Sequence, residues 1–126
     1  MQASKNPESS IGTSYKSRTY KKITGCGSLY TTIAYRNDED RGEKIEFIRI
    51  TGEKESACGA SYNESLSDLL TFSIRRIRNI HEARAIVKAL RHHRCNKVFP
   101  NQDHTLSCAD AIGQTLEEAL QTKDKK

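Results

Sequence analysis

Four cysteines carry most of the chemistry available to this chain: Cys26 in Thr-Gly-Cys-Gly, Cys58 in Ser-Ala-Cys-Gly-Ala, Cys95 after His-His-Arg, and Cys108 in Leu-Ser-Cys-Ala-Asp. Each sits at a break in hydrophobic periodicity rather than inside an apolar stripe, where a packing cysteine belongs. Glycine beside Cys26 and Cys58 lets the backbone turn sharply and brings amide groups close to sulfur. Thiolates gathered from distant loops suit a tetrahedral metal site, with zinc the default occupant. The gaps of 32, 37 and 13 residues contain no Cys-x-x-Cys pair, so neither zinc-finger nor thioredoxin-like spacing applies. From spacing alone, a shared metal site and four separately buried small residues both stay open.

The settings of two cysteines differ from the rest. With Ser107 as N-cap, Cys108 becomes the first residue of a helix, where free N–H groups and the positive end of the macrodipole favour a thiolate. Cys95 follows a helix end among His92, His93 and Arg94, whose positive charge would act the same way. Cys95 and Cys108 are therefore the candidate pair for thiol redox chemistry. His92 and His93 are placed to cap the preceding helix's carbonyls. His104, four residues before Cys108, is the substitute ligand should one cysteine be uninvolved. No nucleophile elbow or His-Glu metal motif occurs, which speaks against hydrolysis.

The elements that must position these groups fall into two halves. Arg18–Ile23, Ser28–Tyr35 and Lys44–Ile50 read as strands, with Leu29, Thr31, Ile33 and Tyr35 on one face of the second. In the third, Ile45 and Phe47 share one face and Ile48 and Ile50 the other, so both faces are covered or a bulge intervenes. The loop Asn37–Gly42 closes a hairpin between the second and third strands. Helical spacing follows. Leu66, Leu69, Leu70, Ile74 and Ile77 form one stripe, with Ser61 and Glu64 as a capping box. A second helix opens at Asn79 and buries Ala83, Ile86, Val87 and Leu90; a third opens at Ser107 and buries Ala109, Ile112, Leu116 and Leu120. The expected fold is α+β: a small antiparallel sheet of about three strands, then three helices packed on one face, with the cysteine loops gathered at one end.

At 126 residues the chain makes one domain with a modest core. Residues 1–16 read as a flexible lead, 17–122 as the metal-binding domain and 123–126 as a charged tail. No apolar run is long enough for a membrane span and no signal peptide is evident, pointing to the cytoplasm, where cysteines serve as thiols or metal ligands rather than disulfides. The net charge of +5 is concentrated: Arg75 to Lys97 holds eight Lys/Arg against Glu82 alone, a +7 block that leaves −2 elsewhere. Arg75, Arg78, Arg84, Lys88, Arg91, Arg94 and Lys97 are thus candidate contacts for nucleic acid or an acidic protein surface, or simply a solvated helix face. Aromatic residues for base stacking are scarce within the block.

Leu106-Ser107-Cys108-Ala109-Asp110 resembles the Thr-Ser-Cys-Pro-Asp signature of the TSCPD domain family, and Thr24-Gly25-Cys26-Gly27-Ser28-Leu29-Tyr30 resembles its Gly-Cys-Gly strand start. Cys58 with Gly59, and Cys95, fall where family members carry their second and third cysteines. The similarity spans about residues 18 to 121. Ala109 replaces the motif's proline and Leu106 its threonine, while serine, cysteine and aspartate are kept. Members occur at the C-terminus of adenosylcobalamin-dependent ribonucleotide reductases and as small stand-alone bacterial and phage proteins. The resemblance implies that Cys26, Cys58, Cys95 and Cys108 form a tetrathiolate metal site, for zinc ahead of an iron–sulfur cluster. It also implies ribonucleotide reductase as a partner. A chain this short lacks the barrel that ribonucleotide reduction needs, so action by binding, not catalysis, is expected.

Overall fold

The computed structural model describes residues 15–38, 42–53, 56–95 and 102–124. Three strands, β1 (Lys16–Thr24), β2 (Gly27–Asp38) and β3 (Gly42–Gly52), form an antiparallel sheet in the order β1-β2-β3. Three helices follow: α1 (Ala57–Ile74), α2 (Ile80–Leu90) and α3 (Cys108–Asp124). The α+β architecture anticipated above is present. The expected flexible lead falls largely in residues 1–14, and Lys97 in 96–101; both lie outside the described residues.

The core lies between one sheet face and the helices. Ile33 pairs with Ile48 and Thr31 with Ile50, so these four point to the same side and all are buried. A register shift at Ala34/Tyr35 pairs Tyr35 with Ile45, leaving Glu46 as the extra residue. That bulge answers the conflict in β3: it turns Ile45 toward the core with Ile48 and Ile50. Ile112, Leu116, Ala119 and Leu120 of α3 close the core, and Ala83, Val87 and Leu90 of α2 join it.

α1 lies along β3 and covers its open edge in an unusual way. The hydroxyl of Ser67 accepts the Ile50 N–H at 2.9 Å, and that of Thr71 accepts the Ile48 N–H at 2.9 Å. Edge donors that could template strand addition are thereby used within the chain. α1 starts earlier than the Ser61–Glu64 pattern suggests. Ser56 is the N-cap, its hydroxyl accepting the Gly59 N–H at 2.9 Å, because Ala57, Cys58 and Ala60 are compatible with helix and extend it backwards. The apolar stripe is also narrower than the spacing suggests: Leu70 and Ile74 are buried, but Leu69 is 63% exposed. α2 begins as anticipated, with Asn79 Oδ1 accepting the Glu82 N–H.

Candidate functional site

The tight β1–β2 hairpin puts Gly25 and Cys26 at its tip, between paired Thr24 and Gly27. Gly27 has φ +117°, a conformation glycine adopts without strain. Thr24, 3% exposed, organises this tip. Its hydroxyl donates to the Gly27 carbonyl at 2.8 Å and accepts the Cys26 N–H at 3.1 Å. The Cys108 thiol reaches the same oxygen at 3.9 Å. One side chain therefore joins the hairpin cysteine to the helix-start cysteine.

The segment before α3 is docked on the end of β1. Asp103 accepts the Ile23 N–H at 2.7 Å, and the Thr105 hydroxyl donates to the Ile23 carbonyl at 2.6 Å. Ser107 caps α3 by accepting the Asp110 N–H at 3.0 Å, as its position suggests. Cys95 is tied into the same segment: its N–H donates to the Leu106 carbonyl at 3.1 Å, two residues before Cys108.

Asp110 locks these pieces together from beneath. It is 1% exposed and accepts the His92 N–H at 2.7 Å, Arg91 Nε at 2.9 Å and the Leu106 N–H at 3.0 Å. Burial alone would raise its pKa, but the His92 amide, Arg91 and the Leu106 amide outweigh it and hold the carboxyl below its ordinary value. Arg91 also pairs with Glu117. His92 takes a left-handed conformation (φ 69°) that ends α2, and a ring nitrogen of His93 meets the Ala89 carbonyl at 2.8 Å, the capping role suggested for it. His104 is exposed, also with positive φ.

Cys26 and Cys95 both act on the ionisation of Cys108. The outcome differs from the helix-dipole expectation. Burial pushes the Cys108 thiol above its ordinary pKa, and the neighbouring sulfurs add to the rise against the lowering effect of Thr24. Desolvation outweighs the helix N-terminus here because the thiol is half-buried against the hairpin tip, where it meets Thr24. Cys58 stands apart, exposed in the first turn of α1. Its neighbours Ser56 and Gly59 line a cleft of about 340 Å³ together with Thr24, Cys26, Tyr62 and Cys108. All four cysteines are free thiols. Among the described residues, no group of three or more Cys, His, Asp or Glu side chains stands in an arrangement that would hold a metal ion as it is.

The basic block is partly spent within the chain. Arg75 and Arg36 flank Glu46, Arg78 pairs with Glu82, and Arg91 is committed to Asp110 and Glu117. Arg76 lies over the Phe72 ring, 3.7 Å from its centroid. Arg84 and Lys88 are exposed on α2 and border a second cleft, of about 320 Å³, with Arg91, His92 and Glu117; Arg94 is exposed beyond the helix.

The residues that sequence reasoning missed are Thr24, Asp103, Thr105 and the Arg91–Asp110 pair. Asp110 was legible only as a helix-start residue, since nothing local announces a partner 19 positions upstream. No helix among the described residues is long and apolar enough to cross a membrane. No curated protein and no solved structure matches the chain. The TSCPD domain model matches residues 7–120, most of the chain, and the chain belongs to that family.

Proposed function

We propose that this protein is a metal-binding module in which Cys26, Cys95 and Cys108, with Cys58 as fourth donor, take up one thiophilic divalent cation, zinc by preference. The observation carrying this reading is that Thr24 joins the Cys26 amide to the Cys108 thiol while Cys95 is bonded to Leu106 beside it. Three chain segments remote in sequence are thus tied by hydrogen bonds beside Cys26, Cys95 and Cys108. The donor chemistry fits a soft ion: Cys26 and Cys95 act on Cys108, and the buried carboxylate nearby, Asp110, is occupied by amides and Arg91. The side chains would still have to be drawn together, and Cys108 would have to lose its proton, so uptake would be coupled to proton release. When bound, the ion would cross-link the hairpin to the starts of two helices, stabilising a domain with a modest core.

The test is elemental analysis of isolated protein with thiol titration before and after chelation. One metal per chain, with the thiols released together on chelation, supports the reading. No metal, with thiols that react individually, overturns it. Cys58→Ser then separates four-thiolate from three-thiolate binding by whether the metal is retained.

For partner binding, Arg84 and Lys88 are exposed and border the α2–α3 cleft, and Arg94 is exposed beyond the helix. This arrangement favours an acidic protein surface over an extended nucleic-acid track, because Arg75, Arg78 and Arg91 already face carboxylates.

A further inference from the structure

α1 is apolar on two opposite sides. Ser67, Leu70 and Ile74 face the core, whereas Tyr62, Leu69 and Phe72 are 79%, 63% and 57% exposed. Large apolar side chains clustered on an outer helix face are uncommon on a monomer and mark a contact surface. Their spacing is regular: Tyr62, Ser65, Leu69, Phe72 and Arg76 follow alternating steps of three and four, the period of an antiparallel or parallel helix seam.

The charges beside the seam choose between these pairings. α1 contains two charged residues, Glu64 and Asp68, both acidic, and its end is followed by Arg75, Arg76 and Arg78. At 100° per residue, Asp68 and Arg75 lie on the same flank of the seam. A parallel pairing would set this flank against the partner's opposite flank, with Asp68 beside the partner's uncharged Ser73, and would leave Asp68 and Arg75 without each other. An antiparallel pairing, with Leu69 facing the partner's Phe72, sets Asp68 opposite the partner's Arg75. Arg75 keeps 48% of its side chain exposed despite its 3.7 Å contact with Glu46, so it can serve both.

We infer that the outer face of α1 is a self-association surface, on which two copies of this chain pair α1 against α1, antiparallel about a two-fold axis beside Leu69 and Phe72. The contact is isologous and self-complementary in charge. Its centre at Leu69 and Phe72 lies on the helix face turned away from the core and contains no cysteine, and Tyr62, which also borders the cleft beside Cys26 and Cys108, stands at its margin.

Sedimentation of the full chain, reduced and at concentrations from about 1 μM to about 1 mM, tests this. A monomer–dimer equilibrium is expected that chelation leaves unchanged. Leu69→Glu with Phe72→Glu should give a monomer whose thermal unfolding matches the parent, since both side chains are exposed. Asp68→Lys should weaken association about tenfold, and adding Arg75→Asp should restore it. A chain that stays monomeric throughout overturns the inference. So does a dimer that ignores these substitutions, or one that dissociates on chelation.

Discussion

Arg91 crosses Gly113 so closely that a Cβ added to the glycine would lie 2.9 Å from Arg91 Cδ and 3.1 Å from Leu90 Cβ. α2 and α3 therefore meet at a point where only hydrogen fits. Arg91 cannot swing aside cheaply, because Asp110 and Glu117 hold its guanidinium. Gly113→Ala should destabilise the fold by about 1–3 kcal/mol through overpacking, despite alanine's better helix propensity. Urea unfolding of the two proteins measures the difference, and an alanine variant as stable as the parent would refute the close approach.

Asp110 gives a prediction with a pH signature. Asp110→Ala leaves Arg91 with Glu117 alone and strands the part-buried His92 and Leu106 amides, and should cost about 3–5 kcal/mol at neutral pH. Because the folded-state pKa lies below the unfolded value, the carboxylate's contribution is fully present above about pH 4 and is lost as pH falls through the folded pKa. The gap in stability between parent and variant should thus narrow in acid below about pH 4. A gap that stays constant from neutrality into strong acid would show that Asp110 does not act through its charge.

Much of this was legible from residues alone, for reasons that mark where reading stops. Periodicity found all three strands and all three helices because each buries one face: Ile33, Ile48, Val87 and Leu116 sit where the spacing puts them. Leu69 was misplaced because its stripe and that of Leu66, Leu70 and Ile74 overlap in sequence, and spacing does not tell which side meets the sheet. The cysteine-bearing turns were visible through Gly27 and the Ser107 cap. The ties between them were not. Thr24, Asp103 and Thr105 are ordinary polar residues until the chain folds and brings Ile23 beside the α3 approach. The sense of the Cys108 shift was misjudged for the same reason: helix position is local, but desolvation is set by distant segments.

The cover on β3 rests on two hydroxyls and can be removed without changing shape. Thr71→Val keeps side-chain volume but leaves the Ile48 N–H without its acceptor, and Ser67→Ala does the same for Ile50. Each should cost about 1–3 kcal/mol, the desolvation penalty of an unmet amide. Amide hydrogen exchange reads the effect residue by residue: Ile48 should lose protection in the first variant and Ile50 in the second. Unchanged exchange at both positions would mean that the edge is covered by something other than these hydroxyls.

The thiols should be separable by rate before any metal is added. Cys26 and Cys58 are exposed, whereas Cys108 is half-buried with its pKa raised, first by burial and then by the nearby sulfurs. Alkylation requires the thiolate, so at neutral pH the metal-free protein should label Cys58 and Cys26 first and Cys108 last. The Cys108 rate should keep climbing further into alkali than an ordinary thiol's, because burial delays formation of its thiolate. Thr24→Val removes the hydroxyl that partly offsets the shift and should slow Cys108 further, while leaving Cys58, on a different element, unaffected. Peptide mass mapping over a time course gives all four rates in one experiment. A Cys108 that reacts first, as a helix-start thiolate would, contradicts the burial argument and makes redox chemistry the better account of the cluster.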